Sequence, residues 1–202
     1  VFAVFILLIA ARSTLGFVIA TQSGRPGWYS ALMAPSFLVL DGLSATGVLI
    51  LTGLALRRLF GLGDQLPDAV FRWLGNLLGV LALIAVYFFL VEEFTATYAA
   101  PIADREITHE IIFGAFAPIF WTALGSLVLA CVIPFVAYLR RPASIRWLTV
   151  AAVLAFIGPL FRRFLTLVPS QSHGALTPIE APRLYLPSWS EFGVIAGLIG
   201  LI

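Results

Sequence analysis

Apolar residues in this chain come in blocks of about 20 or more, long enough to cross a ~30 Å hydrocarbon layer as helix. The first block covers residues 1–20 and gives way to a short loop with Gly24, Pro26 and Gly27. A second predicted span starts near Ala34-Pro35, proline being tolerated in a helix's first turn, and ends at Arg57-Arg58. A third covers 73–98 and is closed by Pro101. The fourth, 111–139, contains Pro118 and Pro134, both positioned to kink it, and the fifth, 147–168, contains Pro159. A proline-rich connection then leads to a sixth, starting near Pro187-Ser188. The expectation is an all-α, polytopic transmembrane bundle, a single domain over 1–202. The chain starts inside an apolar block without an initiator Met and stops soon after the sixth span begins, so it reads as an internal portion of a longer protein.

Composition agrees with that class. Apolar residues make up 61% and charged residues 11%, too little polar surface to cover a soluble domain. All 12 basic residues are arginine, they are scattered, and the net charge is only +2, which leaves no footprint for nucleic acid. The lone Cys131 lies in an apolar run and supplies neither an internal disulfide nor a thiolate metal site. A two-haem membrane cytochrome needs a pair of axial histidines on helices for each haem. The two histidines here, His109 and His173, lie in or beside loops. No cysteine cluster, phosphate-binding glycine loop or nucleophile triad is visible, and no metal site is expected.

Arginine counts orient the spans. Arg57, Arg58 and Arg72 share a side with Arg140, Arg141 and Arg146, whereas the opposite loops carry Arg25, Arg105 and Arg183, one each. The richer side is expected in the cytoplasm, so the loops around Pro26, Asp104 and Ser172 face the exterior.

Charged residues inside spans each cost roughly 2.5–3.5 kcal/mol at the bilayer centre on insertion scales, which makes them functional candidates. Here they are Arg12, Asp41, Glu92, Glu93, Arg162 and Arg163, with Glu191 just inside the last span. By helical rise, all lie about one to two turns from the exterior end, and none lies in the cytoplasmic half. A buried, mutually neutralising pocket would produce such one-sided clustering. The competing explanation, snorkelling to the lipid interface, weighs most for Arg162 and Glu191; a short carboxylate cannot reach as far. Adjacent helical residues point about 100° apart, so only one of Glu92 and Glu93 is expected to face the pocket, the other needing a separate partner. Trp28, Tyr29, Trp73, Trp147 and Trp189, at span ends, suit an interfacial aromatic belt.

Four stretches, in order, resemble the NrfD/polysulfide-reductase membrane-subunit (PsrC-like) family. The first is Ser13-Thr14-Leu15-Gly16-Phe17, continuing to Arg25-Pro26-Gly27-Trp28-Tyr29-Ser30 and Ala34-Pro35-Ser36-Phe37. Then come Tyr87, Glu92, Thr95 and Tyr98 in the pattern Y-x4-E-x2-T-x2-Y, and Arg163-Phe164 leading to Val168-Pro169-Ser170. The last is Tyr185-Leu186-Pro187-Ser188-Trp189-Ser190-Glu191. The resemblance implies eight to ten helices in two four-helix bundles, residues 1–58 completing the first and 72–202 forming the second. It also implies a cofactor-free subunit of a respiratory oxidoreductase in a prokaryotic inner membrane, exchanging electrons with quinone or quinol near the outer face. Its implied partner is a ferredoxin-like iron–sulfur subunit, itself joined to a catalytic subunit holding molybdopterin, to a hydrogenase, or to multihaem cytochromes. One departure stands out: many members have a histidine just before the Ser-Thr/Ser-Leu-Gly stretch, and here those positions are Ala11 and Arg12.

Two-electron quinone chemistry moves two protons, so a site needs a group able to exchange them. Glu92, matched to the family pattern, is the first candidate, with Glu93 beside it and Asp41 continuing a proton path. Arg12 or Arg163 would hydrogen-bond a quinone oxygen, Trp28 and Tyr98 would line the ring, and His109 is a further quinone-side candidate. A proton- or ion-translocating subunit is the principal rival; a passive anchor, its polar residues serving only helix packing, is the third reading.

Overall fold

Inside a bilayer no water is available to peptide groups, so apolar runs of this length must close their backbone hydrogen bonds internally. The computed structural model describes residues 2–22, 27–28, 30–61, 65–98, 101–139, 145–172, 188, 190 and 193. Six helices account for most of them: α1 (Phe2–Ala20), α2 (Met33–Leu59), α3 (Asp68–Tyr98), α4 (Ile102–Phe113), α5 (Ala117–Leu139) and α6 (Ile145–Ser172). The helices α2, α3, α5 and α6 are each long and apolar enough to cross a membrane. Their outward faces carry large apolar side chains such as Leu49, Leu83, Phe94, Trp121 and Phe135, a surface that suits lipid and not water. The chain is an all-helical, polytopic membrane protein.

Two boundaries differ from the sequence expectation. The predicted fourth span is not one kinked helix: α4 stops at Phe113, and α5 begins at Ala117. Gly114 closes α4 by donating its N–H to the Glu110 carbonyl at 3.0 Å, and the fully buried Phe116 side chain fills the break. Pro118 therefore lies in the first turn of α5, where its missing N–H has no intrahelical partner to lose. In contrast, α6 continues past Pro169 to Ser172. The predicted sixth span, from about residue 187, lies outside the described residues, apart from Ser188, Ser190 and Gly193.

One core joins α2, α3, α5 and α6, so the packing is continuous across the arginine-bearing turn that ends α2. Leu40, Leu43 and Ile50 of α2 meet Leu78, Ala82 and Ala85 of α3, Leu127 and Ala130 of α5, and Ala151, Ala152 and Ala155 of α6. Small residues let helix backbones approach closely where lipid gives no hydrophobic drive to associate. Gly47 is the tightest instance on α2: a Cβ there would sit 2.8 Å from the carbonyl oxygen of Ala152 on α6. Replacing Gly47 by Val is expected to push α2 from α6 and cost about 1–3 kcal/mol, read as a lower unfolding midpoint of the purified protein. An unchanged midpoint would show that this contact does not set the spacing.

The turn after α2 is left-handed at Gly61, with φ +65, and Arg57 pairs with Asp68 to tie α2 to the start of α3. At the opposite end a second core forms from Phe89, Ile107, Ile111, Phe116, Phe120, Ala123 and Leu165, so α4 lies across the ends of α3, α5 and α6. The charged residues of the spans sit at this α4 end.

Candidate functional site

Among the described residues, three arginines and three carboxylates inside the spans are brought together by four helices, as two clusters held side by side. Arg162 of α6 is the centre of the first. Its Nη1 donates to Glu93 Oε1 at 2.7 Å and its Nη2 to Glu92 Oε2 at 2.5 Å, so one planar guanidinium bridges two adjacent carboxylates of α3. All three side chains are largely buried, at 11%, 9% and 14% exposure for Arg162, Glu92 and Glu93. The Arg162 guanidinium also lies over the Phe89 ring, 4.2 Å from its centroid, which adds a cation–π contact in a dry setting.

This arrangement corrects the expectation that Glu92 and Glu93 need separate partners. Their directions do diverge around α3, but the two terminal nitrogens of arginine are spread enough to meet both. It also decides against snorkelling for Arg162, whose head group is turned inward and paired with both carboxylates.

Asp41 of α2 is the centre of the second cluster. Arg12 of α1 donates to it twice, from Nε to Oδ2 at 2.8 Å and from Nη2 to Oδ1 at 3.1 Å. Arg163 of α6 donates Nη2–H to the same Oδ1. Arg162 and Arg163 are consecutive, so α6 holds the clusters side by side. With every group ionised the first cluster carries one excess negative charge and the second one excess positive charge, and together they neutralise. That balance makes so many charges tolerable within apolar helices.

Three described residues between α1 and α2, Gly27, Trp28 and Ser30, reach this end. Gly27, at φ +80, donates its N–H to Asp104 Oδ1 of α4 at 2.6 Å. Trp28 donates Nε1–H to the Thr166 carbonyl of α6 at 2.8 Å. Ser30 Oγ approaches Glu92 Oε1 at 3.4 Å and accepts from the Leu32 amide at 3.2 Å, forming the turn that starts α2. Among the candidates read from sequence, Arg12, Asp41, Glu92, Glu93 and Arg163 thus join the network, and Trp28 packs beside it. Tyr98 does not join: it is the last residue of α3, mostly exposed, with its ring stacked on Phe94 at 4.8 Å. His109 is exposed on α4 with its ring 5.4 Å from that of Phe113, and it too makes no bond to the network. His173, Arg25, Pro26, Tyr29 and Glu191 lie outside the described residues.

Sequence reading underweighted Arg162 and missed Phe89, Ser30 and Thr166. A signal for Arg162 did exist: two adjacent buried acids call for a forked donor, and an arginine lies at matching depth on α6. Nothing local marks Thr166, because its contribution is a backbone carbonyl.

These features define a class, a helical membrane protein with a charge-balanced polar network near one end of its bundle. Within that class the chain belongs to the NrfD family: the family model described as "Polysulphide reductase, NrfD" matches residues 1–174. It is also similar to a Halobacterium salinarum protein described as a membrane subunit of dimethyl sulfoxide reductase, with 31% identity over 155 residues. That match covers 76% of this chain and 34% of the relative, so the chain spans about a third of the length of the curated relative it matches.

Proposed function

We propose that this chain is part of the quinone-reacting membrane subunit of a multi-subunit respiratory oxidoreductase in a prokaryotic inner membrane. In this reading the α4 end of the bundle faces the exterior, and a ferredoxin-like iron–sulfur subunit docks there. Quinol bound near the network gives up two electrons to that partner and two protons to protein groups or water; in the opposite direction quinone takes up both. The metal chemistry belongs to partners: iron–sulfur clusters in the docked subunit, and molybdopterin or multihaem cytochromes beyond it. A relative described as a reductase membrane subunit supports such an assembly.

The observation that carries this reading is the network itself, six ionisable side chains from α1, α2, α3 and α6 gathered at one end of the bundle. Glu92 is the proton-exchanging group. Among the described residues it is the carboxylate approached both by an arginine and by a loop hydroxyl, that of Ser30. Glu93 shares its arginine and Asp41 extends the chain of acids toward α1. Arg12 and Arg163 supply positive charge where a quinone oxygen would gain electron density.

Replacing Glu92 by Gln keeps the shape and one hydrogen-bond acceptor for Arg162 but removes the exchangeable carboxyl. Quinol turnover by the assembled complex is expected to fall about 100-fold or more, with the same proteins still co-purifying. Wild-type turnover in that variant would discard the assignment.

A proton- or ion-translocating subunit is the rival. Conduction across the whole bilayer needs polar groups along its full thickness. Among the described residues, the spans carry no charged side chain between Asp41 and Arg57, between Arg72 and Glu92, or between Arg146 and Arg162. The network suits lateral exchange at one surface better. A passive anchor is separated from both by competition: a quinone analogue would not inhibit through it.

A further inference from the structure

Hydroxyls on helices in apolar surroundings usually bond back to the carbonyl one turn earlier. This chain follows that habit repeatedly: Ser44 donates to Leu40 O and Thr46 to Gly42 O at 2.8 Å, Thr149 to Ile145 O and Thr166 to Arg162 O at 3.0 Å. Ser170 of α6 does not. It is 2% exposed, and its Oγ has no hydrogen-bond partner among the described residues. The reason is on the same helix. The carbonyl one turn back belongs to Thr166, and that oxygen already accepts the Trp28 indole N–H at 2.8 Å. In a helix that oxygen also accepts the backbone N–H one turn on, so the indole takes its second lone pair and leaves none for the Ser170 hydroxyl.

A second unpartnered donor lies on the same face. Arg163 and Ser170 are seven residues apart, two turns of helix, so they project in nearly the same direction. Arg163 bonds Asp41 through Nη2, while its buried Nε–H has no partner among the described residues. The Trp28 indole meets the same helix at the carbonyl of Thr166, which lies between the two in sequence. α6 therefore carries two unused buried donors about two turns apart, roughly 10 Å along its axis, with the Trp28 indole bonded to an intervening residue.

Leaving a buried donor unmatched is costly, so both call for an acceptor. A flat head group bearing acceptor oxygens at opposite ends of an apolar ring has the required form, and that is the form of a quinone. We propose that Arg163 Nε and Ser170 Oγ are the two donors of the quinone head-group subsite, and that the Trp28–Thr166 bond holds the Ser170 hydroxyl ready for the ligand. The proposal rests on the quinone reading above and adds to it a ligand-binding residue, Ser170, and a positioning role for the Trp28 N–H.

The test uses the intact complex in membranes, with a short-chain quinol as substrate and a quinone analogue as competitor. Ser170→Ala is expected to raise KM for the quinol about 5–10-fold, the value of one hydrogen bond, with kcat little changed. Ser170→Thr, which keeps the hydroxyl, restores KM. Trp28→Phe frees the Thr166 carbonyl, lets Ser170 bond back to it, and raises KM similarly. The double variant Trp28→Phe/Ser170→Ala is then no worse than either single variant, because both remove the same donor. An unchanged KM in Ser170→Ala, as expected were the hydroxyl bound only to a buried water, overturns the proposal, as do additive effects of the two changes. Failure of the underlying reading looks different: the wild-type complex would show neither quinol turnover nor competition by the analogue.

Discussion

Arg162→Leu is expected to destabilise the protein by about 3–5 kcal/mol, the range found when one partner of a buried ion pair is removed. The reason is what the substitution leaves behind. Glu92 and Glu93 are adjacent on α3, both largely buried, and Arg162 is the cation that bonds each of them. Without it, two carboxylates repel in an apolar setting, and the Phe89 face loses the cation stacked on it. The expected result is little accumulated protein in membranes and a markedly lower unfolding midpoint for what remains. Arg162→Lys should recover only part of the loss, since a single ammonium lacks the fork that meets both acids. Adding Glu92→Gln and Glu93→Gln to Arg162→Leu removes the stranded charges and should be more stable than Arg162→Leu alone. An Arg162→Leu protein with the wild-type midpoint would mean that the pair is hydrated in the membrane and not buried.

Asp41→Asn has the next largest expected effect, toward the lower end of the same ~3–5 kcal/mol range because the cluster is less enclosed. Asp41 is bonded by both Arg12 and Arg163, so its neutralisation leaves two guanidiniums facing each other within the spans. The loss should be partly relieved by Arg12→Gln in the same chain, which removes one of them. A double-mutant cycle on unfolding midpoints measures this directly: the coupling should be strongly favourable in the doubly altered protein relative to the sum of the single changes. Additivity would show that Arg12 and Asp41, despite their bidentate geometry, act independently. Function should follow stability here, because the same contact ties α1 and α2 to α6 next to the proposed quinone subsite.

The depth of the charged residues was legible without coordinates. Helical rise alone puts Arg12, Asp41, Glu92, Glu93, Arg162 and Arg163 within the same slab, and apolar runs between them leave no other reading of their level. Their pairing was not legible. Level says nothing about azimuth, and each residue's rotation about its helix is set by which faces pack. Ser170 shows the same limit more sharply: as Val168-Pro169-Ser170 it reads as the end of a span, and only the position of Trp28 explains why its hydroxyl is not bonded back to Thr166.

Hydropathy and chain length by themselves determined that this is a helical membrane protein, where most spans run, and that its intramembrane charges gather toward one end. These follow from the sequence because a backbone in hydrocarbon has few alternatives to a helix, and a helix advances by a constant step. Tertiary structure alone decided that Arg162 unites Glu92 with Glu93, that Asp41 is shared by arginines of two helices, and that α4 and α5 separate at Gly114. Those outcomes depend on small-residue contacts such as Gly47 against Ala152, which set how closely and at what rotation the helices meet. Rotation of this kind is a property of the packed bundle, and no single helix contains it.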